Sequence, residues 1–587
     1  MSKRQSIVVR KGRANLRSKV KPPSSSKRPR GATTSPNGAT IIAPPAPASQ
    51  GVARESTENL LKSARAFKYD RMFATGDTDS KKGTSIAVAH GTHNNGHEPD
   101  PNAKLDADQV MKGLTDLGLA MHQKGNESIP NAMPCADQVI PAGYTYLGQF
   151  ITHDITFDKT SGIADGELSS LEVRQGRTPS LELDSLYGMG PLSASSRHLY
   201  EDDRLRFRIG ETTKTLLGTP PTLLPNDLPR DRSNQANPRK AQIADSRNDR
   251  NLALAQTHLA FMKFHNVVVN HLASEGEALG RELFVEARKI VIQHYQSIIL
   301  DDYLPKIIDP SALKKIRKEV LARVAENGMA STNGDLFLPI EFAHAAFRFG
   351  HSMVRDQYEW NRVFHSPKTP NTDAARLHHL FTFTGLNGNM QGALTLPTNW
   401  VIDWRRFYKF EDHPVKDNEF NLARKISPSL SLGLKGIPGF PAGHSIDSRS
   451  VAVLDLQLGA KTGLPSGQEV AKIMEVKHGL KPHLKNQIAK GPNDEINKIL
   501  VENGFDKKTP LWFYILREAE SEMNGRCLGQ VGARIVAETI IRVINASEYS
   551  ILREKRKWKP SLPSINSDHF EMTDMLAFVN DLNPLRD

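Results

Sequence analysis

The chain has 587 residues, 38% hydrophobic and 24% charged, which is enough globular sequence to bury a large core. No apolar run approaches the ~18–20 residues that cross a bilayer, so no transmembrane segment is expected. Two cysteines, Cys135 and Cys527, exclude a disulfide framework and a cysteine-rich metal site.

The formal charge of +12 is not spread along the chain. Of 77 Lys and Arg, twelve precede the first acidic residue, Glu55, which leaves 65 against 65 acidic residues. Residues 1–54 therefore form a basic tail rich in Pro, Ser, Ala and Gly, with too little apolar surface to offset the entropy of ordering. A disordered tail is expected. It reads as a solvated arm, a transit peptide, or a segment touching nucleic acid or an anionic surface. It lacks the apolar core of a secretory signal. The compartment is left open: two cysteines suit a reducing, cytoplasmic one, and secretion by another route stays possible.

Residues 55–587 are expected to form one large domain, with its motif-bearing core at about 130–580. Between 55 and 130, short helical patterns alternate with polar loops. His90, His93 and His97 lie there without acidic or cysteine partners at ligand spacing and read as a surface loop. Beyond 131 the strong patterns are helical. Residues 249–273 place Leu252, Ala255, Leu259, Met262 and Val269 on one stripe, with Asn248 or Asp249 as N-cap. Residues 278–300 turn Leu283, Ala287, Ile290, Val291 and Ile298 inward. A third helix is expected at 340–355, and two more within 510–546, broken near Asn524-Gly525. Strand signals are few and short. Pro/Gly-rich stretches at 218–240 and 433–444 read as long ordered loops. The fold class expected is mainly α: a single large helical domain with long ordered loops.

Three segments carry chemistry. Gln149 and His153, in Gly148-Gln-Phe-Ile-Thr-His-Asp154, are four residues apart and so share a helix face. Histidine titrates near neutrality and suits a base that takes a proton and returns it. Arg247, in Asp245-Ser-Arg-Asn-Asp249, could stabilise charge that develops as a bond breaks. His351, in Phe347-Arg-Phe-Gly-His351, could ligate a metal or haem iron. His344, seven residues earlier, is a weaker candidate ligand; His258 and His265 read as structural.

In order and spacing these segments resemble the peroxidase–cyclooxygenase superfamily of animal-type haem peroxidases, in a bacterial-like form. Leu147–Asp154 is similar to its distal helix, Arg247-Asn-Asp to its arginine segment and Ala346–His351 to its proximal helix. Glu286–Val291 with Asp302–Pro305, Gly463–Gly467 and Leu511–Glu518 are similar to further family segments. The resemblance covers roughly residues 130 to 580. It implies a haem b peroxidase in which His153, Arg247 and Gln149 are catalytic and His351 is the axial ligand. Arg348 would anchor the cofactor, and Asp455 would stand behind His351. The substrates implied are hydrogen peroxide and a small-molecule reductant or halide. The resemblance also implies calcium held by Asp154, Thr178, Ser180 (through its carbonyl), Glu182 and Asp184, oxygen donors that suit a hard cation.

The pattern departs from the family at four places. Thr152 and Arg250 stand where mammalian members attach haem through esters, so haem is expected to be non-covalent. Asp455 replaces an asparagine, which would give His351 more imidazolate character. Leu458 replaces a propionate-binding arginine. Arg348 occupies the position of the tyrosine used by the family's fatty-acid dioxygenases, which weakens that alternative. A non-enzymatic binding protein recruited by its basic tail is the alternative from another class.

Overall fold

A computed structural model describes residues 67–587, except 71, 73–106, 123–139, 158–173, 215–222, 277–278, 327–336, 366–373, 441–442, 482–483, 485–486 and 587. The basic tail, His90, His93, His97 and Cys135 lie outside the described residues. The chain divides into Met1–Thr57 and Glu58–Asp587, and only the second contains described residues.

That unit is mainly helical, as the periodicity predicts. Strand β1 (Phe67–Asp70) lies between β2 (Arg174–Gln175), antiparallel to it, and β3 (Leu338–Pro339), parallel to it, in a small sheet. A two-residue hairpin pair, β4 (Gln357–Tyr358) with β5 (Ala375–Arg376), makes a second. Long loops, including the described parts of 218–240 and 433–444, connect the helices and are ordered by side-chain bonds. Arg239, for example, donates to the carbonyls of Gly392 and Ala393. None of the helices among the described residues is long and apolar enough to cross a membrane.

The site is framed by a few helices. Helix α1 (Ala107–Ala120) is followed by α2 (Gly143–Ile155) and the single turn α3 (Asp184–Tyr187). Helix α4 (Leu252–Glu275) is buried on every side from Leu252 to Met262 and striped beyond, because its first half runs through the core; it packs on α2 and on α5 (Gly280–Ser297). Its N-cap is Asn251, whose side chain accepts from the Leu254 N–H at 2.9 Å, two residues beyond the expected cap. Asn248 and Asp249 instead belong to a separate 3-10 turn, Ser246–Asp249. Helix α5 buries Leu283, Ala287, Ile290 and Val291 as expected and runs on into a π-helical turn, Ile298–Tyr303.

The helix expected at 340–355 is two elements. Helix α6 (Ile340–His344) stops at Ala345, whose φ of −137° and ψ of −71° are not helical, and a 3-10 helix, Ala346–Met353, follows. The break separates His344 from His351, so the seven-residue spacing does not put them on one face. The segment 510–546 does break where predicted. Helix α7 (Leu511–Met523) ends at Asn524 and Gly525, both left-handed (φ 50° and 70°), before α8 (Gln530–Ala546).

Candidate active site

Helix α2 carries Gln149 and His153. Its core face, Leu147, Phe150 and Ile151, is fully buried, and Phe150 stacks on Phe261 of α4 with ring centroids 4.7 Å apart. Gly148 is required by a close approach: a Cβ there would stand 2.4 Å from the Tyr303 hydroxyl. Tyr303 also meets Phe347 edge-on at 6.3 Å. It thus ties α2 to the 3-10 helix that carries His351, and those two elements pack against each other.

Two asparagines hold the Gln–His pair, and the sequence pattern marks one of them, Asn248, only as a possible helix cap. The Asn251 side-chain N–H donates to Gln149 Oε1 at 3.0 Å. Asn248 Oδ1 lies 2.7 Å from His153 Nδ1, and Asn248 Nδ2 lies 2.9 Å from Nδ1 of His258. Asn248 is fully buried, and the residue beside it is clamped. Asp249 accepts from Arg230 at 2.6 Å and from the Gly385 N–H at 2.9 Å, while Arg230 also grips Asp227 at 2.7 Å. Such a buried charge cluster locks a turn even where its net contribution to stability is small. His153 is 8% exposed. Burial, and then the Arg247 charge, lower its pKa to about 3, so the ring is neutral.

Arg247 reaches the same helix by a route the sequence did not indicate. Its Nε and Nη2 bond the Asp245 carboxylate at 3.0 and 2.7 Å. Nη2 also donates to the carbonyls of His153 (2.9 Å) and Thr156 (2.7 Å), so the guanidinium caps the C-terminus of α2. It rests over the Phe157 ring at 4.6 Å. Burial opposes ionisation of Asp245, but its bonds from Arg247 outweigh that and hold its pKa below the usual carboxylate range.

On the other side His351 is half-exposed, its side chain 36% accessible, between buried Phe349 and Ser352. Its Nδ1 is 2.5 Å from Asp455 Oδ2. Asp455, on the helix Val451–Lys461, also accepts from Arg348 Nη1 at 2.6 Å. Burial disfavours its charge, but His351 and Arg348 outweigh burial and lower its pKa. Arg348 therefore braces Asp455, with its Nε on the Ala343 carbonyl at 3.0 Å. His344 is buried, with Nδ1 3.4 Å from the Thr462 hydroxyl. His265 is structural, bonded to Tyr187 and to the Leu205 carbonyl.

The proximal side suits a haem. With Nδ1 on Asp455, His351 keeps Nε2 for an axial ligand role, and Nε2 has no partner among the described residues. The neighbouring backbone leaves room, since a Cβ built on Gly350 meets nothing within 4 Å. Thr152 bonds back to the Gly148 carbonyl and cannot form a haem ester.

The cation loop is assembled in part. Asp154 is fully buried and accepts from the N–H groups of Leu183 and Ser185, both at 3.1 Å. Burial, and then the Asp184 charge, raise its pKa to about 7. Thr178 Oγ1 donates to Asp184 at 2.6 Å, and the buried Ser180 hydroxyl has no hydrogen-bond partner among the described residues. Glu182 accepts from the Glu548 N–H and lies 3.6 Å from Arg288. Burial outweighs the Arg288 charge and raises the Glu182 pKa to about 7, and the Asp184 charge adds to the rise. Among the described residues no three acidic, histidine or cysteine side chains converge on one point.

The fold is shared with a peroxidase and a fatty acid dioxygenase of known structure. Peroxidase A from Dictyostelium discoideum superposes with a TM-score of 0.50 at 16% identity, over 80% of this chain and 87% of that one. The fatty acid alpha-dioxygenase of Arabidopsis thaliana also gives 0.50, at 14% identity, over 80% and 72%. A family model described as animal haem peroxidase matches residues 165–394. Peroxidase mlt-7 of Caenorhabditis elegans is 32% identical over 139 residues, 23% of this chain and only 18% of that protein. Over residues 165–394 the chain is thus similar to the animal haem peroxidase family, and it spans about a third or less of the length of the curated relatives it matches.

Proposed function

We propose that this protein is a haem-dependent peroxidase that reduces hydrogen peroxide and oxidises a small organic donor or a halide. The observation that carries this reading is the pairing of His351 Nδ1 with Asp455 on an element packed against the helix that bears Gln149 and His153. When bound, a haem b supplies the redox centre that accepts peroxide and stores its oxidising equivalents.

His351 would hold the haem iron through Nε2. Asp455 fixes the ring and makes it a stronger donor, and Arg348 keeps Asp455 ionised. Thr152 and Arg250 leave the cofactor non-covalently bound. On the distal side neutral His153 takes a proton from peroxide at Nε2 and returns it to the departing oxygen. Gln149, with Oε1 occupied by Asn251, keeps its Nε2 donor for water or a halide. The charge of Arg247, held at the end of the same helix, favours the anionic form of peroxide.

A hard cation bound by Asp154, Asp184 and Thr178, with the Ser180 carbonyl and Glu182 as further donors, would neutralise carboxylates packed beneath the helix that aims His153 and stiffen it. The dioxygenase alternative is disfavoured because position 348 is an arginine locked to Asp455 rather than a tyrosine.

The test is direct. The purified protein reconstituted with haem should show a Soret band and turn over a phenolic donor with peroxide. A colourless protein, or one that oxygenates a fatty acid with oxygen alone, would reverse the reading.

A further inference from the structure

We propose that Asn248 is the positioning residue that decides which ring nitrogen of His153 carries the proton, and that His258 holds the Asn248 amide in the orientation that does so. The inference rests on the reading of His153 as the distal base. Three buried side chains stand in line: His258 Nδ1 is 2.9 Å from Asn248 Nδ2, and Asn248 Oδ1 is 2.7 Å from His153 Nδ1. His258, Asn248 and His153 are 1%, 0% and 8% exposed, so little water can substitute for either bond.

A carboxamide is polar in a fixed sense, donating only from nitrogen and accepting only at oxygen. With Nδ2–H directed at His258, His258 Nδ1 must be the unprotonated nitrogen of that ring. Oδ1 then faces His153 and can only accept, so His153 Nδ1 carries the hydrogen. The lone pair of His153 is left at Nε2, the nitrogen that a base turned toward peroxide must use. Rotating the amide by half a turn would reverse every donor and acceptor. His153 Nε2 would then bear the proton and could take no other. The competence of the base is thus set from behind the pocket, by a histidine that touches neither peroxide nor cofactor.

The surroundings keep the line in place. Asp249, next to Asn248, is clamped by Arg230 and by the Gly385 N–H. The His258 ring meets Phe150 of α2 edge-on at 5.9 Å. Asn251, three residues further on, holds Gln149, so one short stretch orients both members of the distal pair.

The experiment reads tautomers. Full-length protein labelled with 15N-histidine gives long-range proton–nitrogen correlations that distinguish Nδ1–H from Nε2–H rings. The signals are assigned by their loss in His153→Gln and His258→Gln. We expect Nδ1–H for His153 and Nε2–H for His258. Asn248→Leu should leave His153 as a mixture or as Nε2–H. Asn248→Asp, which keeps an acceptor, should restore Nδ1–H. In the haem-loaded protein Asn248→Leu should slow the reaction with peroxide about tenfold or more, with an unaltered Soret band and recovery in Asn248→Asp. His258→Phe, which removes the anchor without touching the pair, should loosen the His153 tautomer in the same direction and serves if Asn248→Leu does not fold. Finding Nε2–H at His153 in the unaltered protein, or a tautomer indifferent to both substitutions, overturns the proposal. Failure to take up haem would refute the peroxidase reading, while the tautomer measurement would still decide this one.

Discussion

The two candidate histidines are held by opposite chemistry. His153 is buried, and its Nδ1 meets a neutral amide at 2.7 Å. His351 is half-exposed, and its Nδ1 meets a carboxylate at 2.5 Å that is itself paired with an arginine. An amide fixes a tautomer without lending charge. A carboxylate draws the Nδ1 proton toward itself and enriches the opposite nitrogen. The first suits a group that must gain and lose a proton at Nε2, the second one that must hold a metal there. Exchanging either partner tests whether the two sides differ in kind.

The largest effects come from the histidines. His351→Ala should abolish the Soret band altogether, while His153→Ala should keep it and slow the reaction with peroxide by about 10²–10⁴-fold. Stopped-flow spectra of both variants would show whether ligation and proton transfer separate as the two environments suggest. If His351→Ala retains a normal haem spectrum, the proximal assignment fails.

The pH profile sharpens the contrast. The His153 pKa lies at about 3, lowered by burial and then by Arg247. The ring accepts a proton only when unprotonated, a form that is lost as pH falls through that value. The rate constant for peroxide should therefore stay level from pH 8 to pH 5, where an ordinary histidine of pKa ~6.5 would already have lost most of its base form. An acid limb centred near 6.5 would mean that His153 is better solvated than the structure has it.

On the proximal side the effects are smaller and opposite in sign. Asp455→Asn removes a carboxylate and should raise the ferric/ferrous potential. Arg348→Gln leaves Asp455 with less compensation and should lower it. Potentiometric titration reads both. If Asp455→Asn leaves the potential unchanged, the imidazolate argument collapses.

How far this contrast was legible depends on the type of interaction. The helices at 252–275 and 280–297 follow from apolar periodicity, and the break at Asn524-Gly525 from left-handed backbone geometry. The order of the motif segments pointed to His153 and His351. Asn248 and Asn251 carry no periodic signal; their role exists only because the chain after the 3-10 turn folds back onto α2. Nothing in the local sequence shows that Arg348 would also pair with Asp455, on a distant helix. The single helix expected at 340–355 failed at Ala345, where no glycine or proline marks the kink.

The smallest effect concerns the loop beneath α2, where Asp154 and Glu182 differ in their neighbours. Asp154 is fully buried, and the neighbouring Asp184 adds to the rise in its pKa. Glu182 feels the same Asp184 charge but also has Arg288 beside it. A divalent cation relieves Asp154 and Asp184 most, and Glu182, partly compensated by Arg288, less. Adding a calcium chelator should therefore lower the melting temperature by a few degrees, as expected when a ligand specific to the folded state is removed. Asp184→Asn should abolish that sensitivity, and Glu182→Gln should weaken it less. Equal loss in both variants would make Glu182 as strong a ligand as Asp184. No chelator response in the unaltered protein would mean that the backbone N–H groups of Leu183 and Ser185 suffice to hold Asp154 without a metal ion.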